Sequence, residues 1–148
     1  MQSCVRHPPG SGSDDAAMQL IELRRLLETS ACALRARRIT PRDLELLSAS
    51  IAEMREIRKS GNLAGFVAAD LAVHDAIRWA SGKVFLTILF QPVQRLFEEN
   101  VVEKSRAPGT RELATLMHQR VLAALETGES RAAREAMDEH MTYTATIW

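Results

Sequence analysis

The sequence predicts an all-α fold, an antiparallel bundle of about six helices. Three observations lead there. Apolar residues recur at spacings of three and four through most of the chain, and no segment alternates with period two over strand length. The breaks between periodic segments are short and carry helix start and stop chemistry. Connections this short favour antiparallel neighbours.

Residues 1–15, MQSCVRHPPGSGSDD, are rich in Pro, Gly and Ser and have no periodicity. They read as a flexible tail or linker remnant, leaving 16–148 as the folded domain, and His7 in the tail is given no role. A first helix is expected from about Ala16 to Arg38, on Leu20, Leu23, Leu27, Ala31 and Leu34, with Asp14 or Asp15 as its cap. Arg24 and Glu28 lie four apart on it, which on most helices is a solvated ion pair worth a few tenths of a kcal/mol.

The second helix opens with Thr40 as N-cap, Pro41 in the first turn and Asp43 at the capping-box position. Its stripe of Leu44, Leu47, Ile51, Met54 and Ile57 runs to Gly61. Asn62 caps a third helix, which carries Phe66, Val73 and Ile77 and ends near Ser81-Gly82. A fourth is expected from about Lys83 to Glu103, where Pro92 must kink or divide it by removing a backbone donor and crowding the preceding turn. A polar loop is expected from Lys104 to Gly109. The fifth helix then runs from Thr110 to about Thr127, with Gly128 as its stop, and the sixth from about Ser130 to near the C-terminus.

At 148 residues the chain is one domain by length, able to bury roughly 70% of its unfolded surface without a staple. Apolar residues make up 46% and charged residues 26%, the balance of a globular chain rather than a disordered one. Nineteen Lys and Arg against nineteen Asp and Glu leave no net charge. That argues against a domain that grips nucleic acid through its phosphates. Cys4 and Cys32 cannot make a disulfide framework, and Cys32, among Ala31, Ala33 and Leu34, reads as a small buried hydrophobe. No apolar h-region opens the chain. The strongest apolar run, Val84 to Phe90, is far short of the roughly 20 residues a membrane span needs. A cytoplasmic location is therefore expected.

Chemistry concentrates in four residues. Asp70 and His74 are four apart on the third helix, so their side chains leave the same face. His118 lies ten residues before Gly128 and His140 eleven after Glu129. At about 1.5 Å per residue both sit roughly 15–17 Å from that turn, level across the hairpin. His118 shares a face with Ala114, Val121 and Leu125, and His140 with Ala133, Met137, Thr144 and Ile147, so both point inward. A single histidine on an apolar face is more often a hydrogen-bonded core residue than a ligand. Three imidazoles and a carboxylate left in one core without a common partner, however, carry a large desolvation cost. A divalent metal satisfies all four. Such ligands suit Zn, Ni, Fe or Mn and leave positions open for water or a ligand carboxylate.

These residues lie in a familiar pattern. The stretch DLAVH from Asp70 to His74, the ASG that follows, and HQRVLAALETGESRAAREAMDEHM from His118 resemble the FCD domain, the C-terminal effector domain of FadR-subfamily GntR transcription regulators. The segment LRRLLETSACALRARRITPRDLELL, Leu23 to Leu47, resembles that domain's first two helices, so the likeness runs from about Ala16 to the end. It implies a helical bundle whose cavity holds a divalent metal, Zn or Ni first, with a small organic acid over it. The implied metal ligands match Asp70, His74, His118 and His140, and the first-helix arginine that reaches the acid matches Arg24. It also implies a homodimer. Three positions depart from the pattern: Val73 stands where an aromatic is common, Lys83 where Asn is, and Met117 where Glu is. The winged helix that reads DNA in such regulators is absent ahead of the first helix, so the chain is expected to be a fragment or a stand-alone sensor without direct nucleic-acid contact.

The leading expectation is thus an effector-sensing domain and not an enzyme. Two alternatives stand beside it. One is a metal-dependent hydrolase or lyase, since three His and one Asp with open positions can activate water, although no further inward acid or base is evident. The other is a metal-free dimerisation module. Ferritin-like chemistry is disfavoured because the chain has no Glu-x-x-His pair.

Overall fold

The computed structural model describes residues 12–79 and 84–146, and all regular structure among them is helical. Among the described residues seven α-helices follow one another: α1 (Gly12–Ala36), α2 (Pro41–Ser60), α3 (Leu63–Trp79), α4 (Val84–Phe90), α5 (Gln94–Ser105), α6 (Thr110–Glu126) and α7 (Ser130–Ala145). The expected fourth helix is two, because Pro92 sits in a 3-10 turn, Gln91–Val93, that separates α4 from α5. That raises the expected six helices to seven without changing the architecture.

The caps explain most of the boundaries. Thr40 Oγ1 accepts from the Asp43 N–H at 3.2 Å while the Asp43 carboxylate takes the Thr40 N–H at 2.9 Å, a complete capping box. Asn62 Oδ1 accepts from the Gly65 N–H at 3.0 Å and opens α3. Gly61, at φ +74°, closes α2 in the left-handed conformation that costs other residues about 1–2 kcal/mol. At its other end α1 departs from expectation. It begins at Gly12, and Asp15 lies inside it, accepting from the Gln19 amide at 2.9 Å rather than capping. The expected end of α3 at Ser81-Gly82, and Lys83, lie outside the described residues.

α1 lies along α7, α6 and α7 form the hairpin that turns at Gly128, and α2 packs on α3 and α6. One apolar cluster joins them: Cys32 and Ala36 of α1, Leu47 and Ile51 of α2, Val73 and Ile77 of α3, Val121 and Leu125 of α6, and Ala133 and Met137 of α7. Small residues on α1 and α7 permit the close approach, and the thioethers of Met137 and Met141 fill the gaps left. Cys32 is fully enclosed, as expected, and burial, with the Glu28 charge adding, pushes its thiol up to about 12.

The buried face of α1 is not the leucine stripe. Leu23 and Leu26 are exposed and Leu20, Leu27 and Leu34 only half-buried, while Ile21, Arg24, Glu28, Ala31 and Cys32 face the core. α1 therefore turns a charged strip into the bundle, where Arg24 pairs with Glu28 within the helix and Glu28 also meets Arg78 of α3. Position in the bundle, not local hydrophobicity, selected the face.

Candidate metal and ligand site

Each expected histidine sits in the middle of its helix on a face held by core packing. His74 of α3 follows Val73 and precedes Ile77; His118 of α6 precedes Val121; His140 of α7 follows Met137 and precedes Met141. All are buried, and the three rings meet. His118 Nε2 is 3.1 Å and His140 Nε2 3.2 Å from His74 Nε2, with ring centroids 4.6–5.2 Å apart. The level placement expected across the hairpin is realised, and α3 brings the third ring. Of the neighbours expected beside His140, Ile147 and the Thr144 side chain lie outside the described residues.

The opposite ring nitrogens of His74 and His118 have acceptors behind them. His74 Nδ1 is 3.2 Å from Glu28 Oε1, off the line of an ideal hydrogen bond. His118 Nδ1 is 3.3 Å from the Met54 thioether and 3.7 Å from Asp70 Oδ1. A neutral imidazole carries one N–H. If His74 and His118 keep theirs on Nδ1, facing those acceptors, their Nε2 lone pairs point at each other across 3.1 Å. Moving a proton to Nε2 of His74 relieves that contact but sets a bare nitrogen against a buried carboxylate. A cation among the Nε2 atoms resolves both. At a metal–nitrogen distance of about 2.0–2.1 Å, ligand nitrogens lie about 2.9 Å apart at right angles and about 3.4 Å apart in a tetrahedron. The observed 3.1 and 3.2 Å fall between. The donor set and the acceptors behind it fit a divalent metal.

Burial, more than any neighbour, holds all three imidazoles below their ordinary pKa. Arg24 adds to the effect at His74, as do the other two rings, Arg24 and Lys104 at His140; Asp70 opposes it at His74 and His118. The rings are thereby kept in the neutral, ligating form. The metal-free chain is accordingly expected to lose stability as pH falls below about 6.5, the unfolded value. There the unfolded imidazoles take up protons that the buried ones refuse, so acid favours unfolding, by up to about 1.4 kcal/mol per pH unit for each ring. Melting followed by circular dichroism between pH 7 and pH 5 tests this, and a flat or rising melting temperature would contradict it.

Asp70 is buried beside the cluster and lines the same cavity, but its carboxylate is outside the tight group formed by the three imidazole nitrogens. Arg24, 3% exposed, also lines the cavity, with its Nε 3.5 Å from Glu28 Oε1 and its guanidinium 5.7 Å from the Phe97 ring centre. The pair expected to be solvated is buried.

The cavity holds about 50 Å³, several times what one water needs. His74, His140, Asp70, Arg24 and Lys104 all face it.

Residues 19–143 match the family model described as the FCD domain. The chain belongs to the FCD family. It is 32% identical over 130 residues to the HTH-type transcriptional regulator LutR of Bacillus subtilis (strain 168), a match covering 84% of this chain and 58% of LutR. The chain therefore spans less than two thirds of that relative. Among solved structures, the E. coli McbR/YncC aligns with TM-score 0.80 at 20% identity, covering 94% of this chain and 70% of that one. Streptococcus agalactiae GntR aligns with TM-score 0.75 at 22% identity, covering 93% of this chain and 62% of that one. These two likenesses establish the fold. The resemblance read from the sequence is borne out: this is an FCD domain of the kind found in GntR-family regulators. None of its described helices is long and apolar enough to cross a membrane.

Three polar residues of this FCD domain were not singled out by sequence reasoning. Glu28, fully buried, takes a hydrogen bond from Arg78 Nη1 at 2.7 Å besides facing His74 and Arg24. Arg78 also pairs with Asp75 and lies 4.2 Å over the Phe90 ring. Lys104 was expected to open a polar loop, yet it and Ser105 form the last turn of α5, both buried and lining the cavity. Burial, with Arg24 adding, pushes the Lys104 ammonium down to about 7. The one signal for Glu28 was its i,i+4 spacing from Arg24; nothing local marked Lys104.

Proposed function

We propose that this FCD domain senses a small carboxylate through a divalent metal, as the effector-binding part of a GntR/FadR-type transcription regulator. The convergence of the His74, His118 and His140 Nε2 atoms carries the reading, since each ring alone has a bland explanation and the three together do not. These three would hold the metal, Zn or Ni first, with Asp70 as the fourth donor. A metal there supplies a Lewis-acid anchor for a carboxylate group. The chain's own part is to present Arg24, whose planar guanidinium matches a carboxylate, and to keep the cavity small.

An acid seated between Arg24 and the histidines ties α1 to α3 and α7. It can shift the packing of those helices only by its difference in affinity for the two arrangements. In a full-length regulator that difference would reorient the DNA-binding parts. We read the domain as a cytoplasmic homodimer, in keeping with the exposed apolar side chains Trp79, Val84, Ile88 and Leu89.

Calorimetric titration of acetate into metal-loaded and metal-free protein tests the reading. Binding is expected only with metal, and Arg24→Gln is expected to weaken it at least tenfold while leaving metal content unchanged. Equal binding with and without metal, or indifference to Arg24, would refute it.

A further inference from the structure

Behind the histidines, two buried polar atoms that lack a hydrogen-bond partner among the described residues belong to neighbouring side chains. They are His74 Nδ1 and Glu28 Oε2. The cause is how the Glu28 carboxylate is shared. Arg78 Nη1 at 2.7 Å, His74 Nδ1 at 3.2 Å and Arg24 Nε at 3.5 Å all crowd Oε1. An ionised carboxylate accepts at about four sites spread over both oxygens. Rotation about its last side-chain bond, a soft and roughly two-fold torsion, offers a second arrangement with an oxygen square to His74 Nδ1 and Arg78 held less closely.

Which arrangement wins depends on the His74 proton. A ring that gives its Nε2 lone pair to a cation keeps its proton on Nδ1, and that N–H needs an acceptor behind it. Without a cation, the proton can sit on Nε2, 3.1 Å from His118 Nε2, and Arg78 keeps the carboxylate. Arg78 carries the difference outward, because its guanidinium pairs with Asp75 and lies 4.2 Å over the ring of Phe90, the last residue of α4. α4 has seven residues, well short of the roughly 12–15 at which an isolated helix begins to hold in water. It therefore depends on contacts of this kind.

We infer that Glu28 is a two-position switch: with a cation at the three histidines its carboxylate moves from Arg78 toward His74, and the Arg78 hold on Phe90 and α4 loosens. The inference rests on the metal-holding role above and goes beyond it, to how occupancy of the site reaches the α3–α4 corner. Glu28 is thus a positioning residue, acting through His74 on one side and Arg78 on the other.

Hydrogen exchange of the 148-residue chain, followed by mass spectrometry with and without saturating Zn, tests this. Binding to the folded state by itself slows exchange wherever amides open by global unfolding. The switch gives two signs in one protein. Amides of α3, α6 and α7 are expected to slow, while those of α4 exchange roughly two- to fivefold faster, the scale of one weakened cation–π contact. In Glu28→Gln, whose neutral amide holds Arg78 weakly, α4 is expected to exchange fast without Zn and to show no further rise, while the histidine-bearing helices still slow. Phe90→Leu, which keeps Glu28 and Arg78 but removes the ring, is expected to abolish the α4 response in the same way. Slowing of α4 along with the other helices, or a Zn-induced rise that persists in both variants, overturns the switch and leaves the metal reading standing. A chain that takes up no Zn overturns both.

Discussion

Adding a slight excess of Zn or Ni to the metal-free chain is expected to raise its melting temperature by about 10–15 °C, an effect absent from a His118→Ala, His140→Ala double variant. A ligand that binds only the folded state stabilises it by about 4 kcal/mol when its free concentration is a thousand times its dissociation constant. In a domain near 150 residues, 1 kcal/mol is about 3–4 °C. The folded state brings three Nε2 atoms together from α3, α6 and α7, with two contacts of 3.1 and 3.2 Å, an arrangement the unfolded chain lacks. Two alanines leave His74 alone with Asp70, too few donors to hold the ion against solvent. Elemental analysis gives the parallel readout: about one equivalent in the parent and little in the variant. Equal melting curves with and without metal, together with no retained ion, would make the three rings ordinary core residues.

Replacing Glu28 should cost the fold more than any other single charge. Its Oε1 faces Arg78 at 2.7 Å, His74 at 3.2 Å and Arg24 at 3.5 Å, and none of the four side chains is more than slightly exposed. Removing one partner of a buried ion pair leaves the other charge uncompensated, at about 3–5 kcal/mol. Glu28→Ala is therefore expected to lower the melting temperature by about 10 °C or more. Glu28→Gln, which keeps the volume and an acceptor oxygen, should lose about half as much. A melting temperature within a few degrees of the parent would show that Arg24 and Arg78 find other partners. Metal affinity offers an independent measure. The Glu28 carboxylate stands 3.2 Å from His74 Nδ1, and loss of a partner behind a metal-ligating ring typically weakens metal binding about 10–100-fold, so both variants are expected to show the deficit even where the fold survives.

The Glu28 cluster also ties the histidines to other parts of the bundle. Arg78 joins Glu28 to Asp75 and to the Phe90 ring, next to the 3-10 turn that Pro92 imposes, and Phe90 packs edge-on against Phe97 at 5.4 Å. Arg24 lies over Phe97 from the cavity side. Ligand-facing charge and the α4–α5 junction therefore share a short run of contacts.

Much of this was legible before any coordinates. Helix period, Thr40-Pro41-Arg42-Asp43, Asn62, Gly61, Gly128 and Pro92 specified elements and breaks because caps and breakers act through backbone groups a few residues away. The level placement of His118 and His140 followed from counting out from one turn, since a helical hairpin fixes height by rise per residue. The family followed from the same stretch. What the sequence could not decide was which face of α1 turns inward. Its leucines argued for one strip, and the bundle buried another, bearing Arg24 and Glu28. Nor could it show that Lys104 closes the cavity from α5. Burial of a charge depends on partners from distant helices, as Arg78 and His74 are for Glu28. No periodicity within one helix encodes a partner fifty residues away. The spacing of the chain determined which residues could meet, and the packing of the helices decided which charges they would meet among.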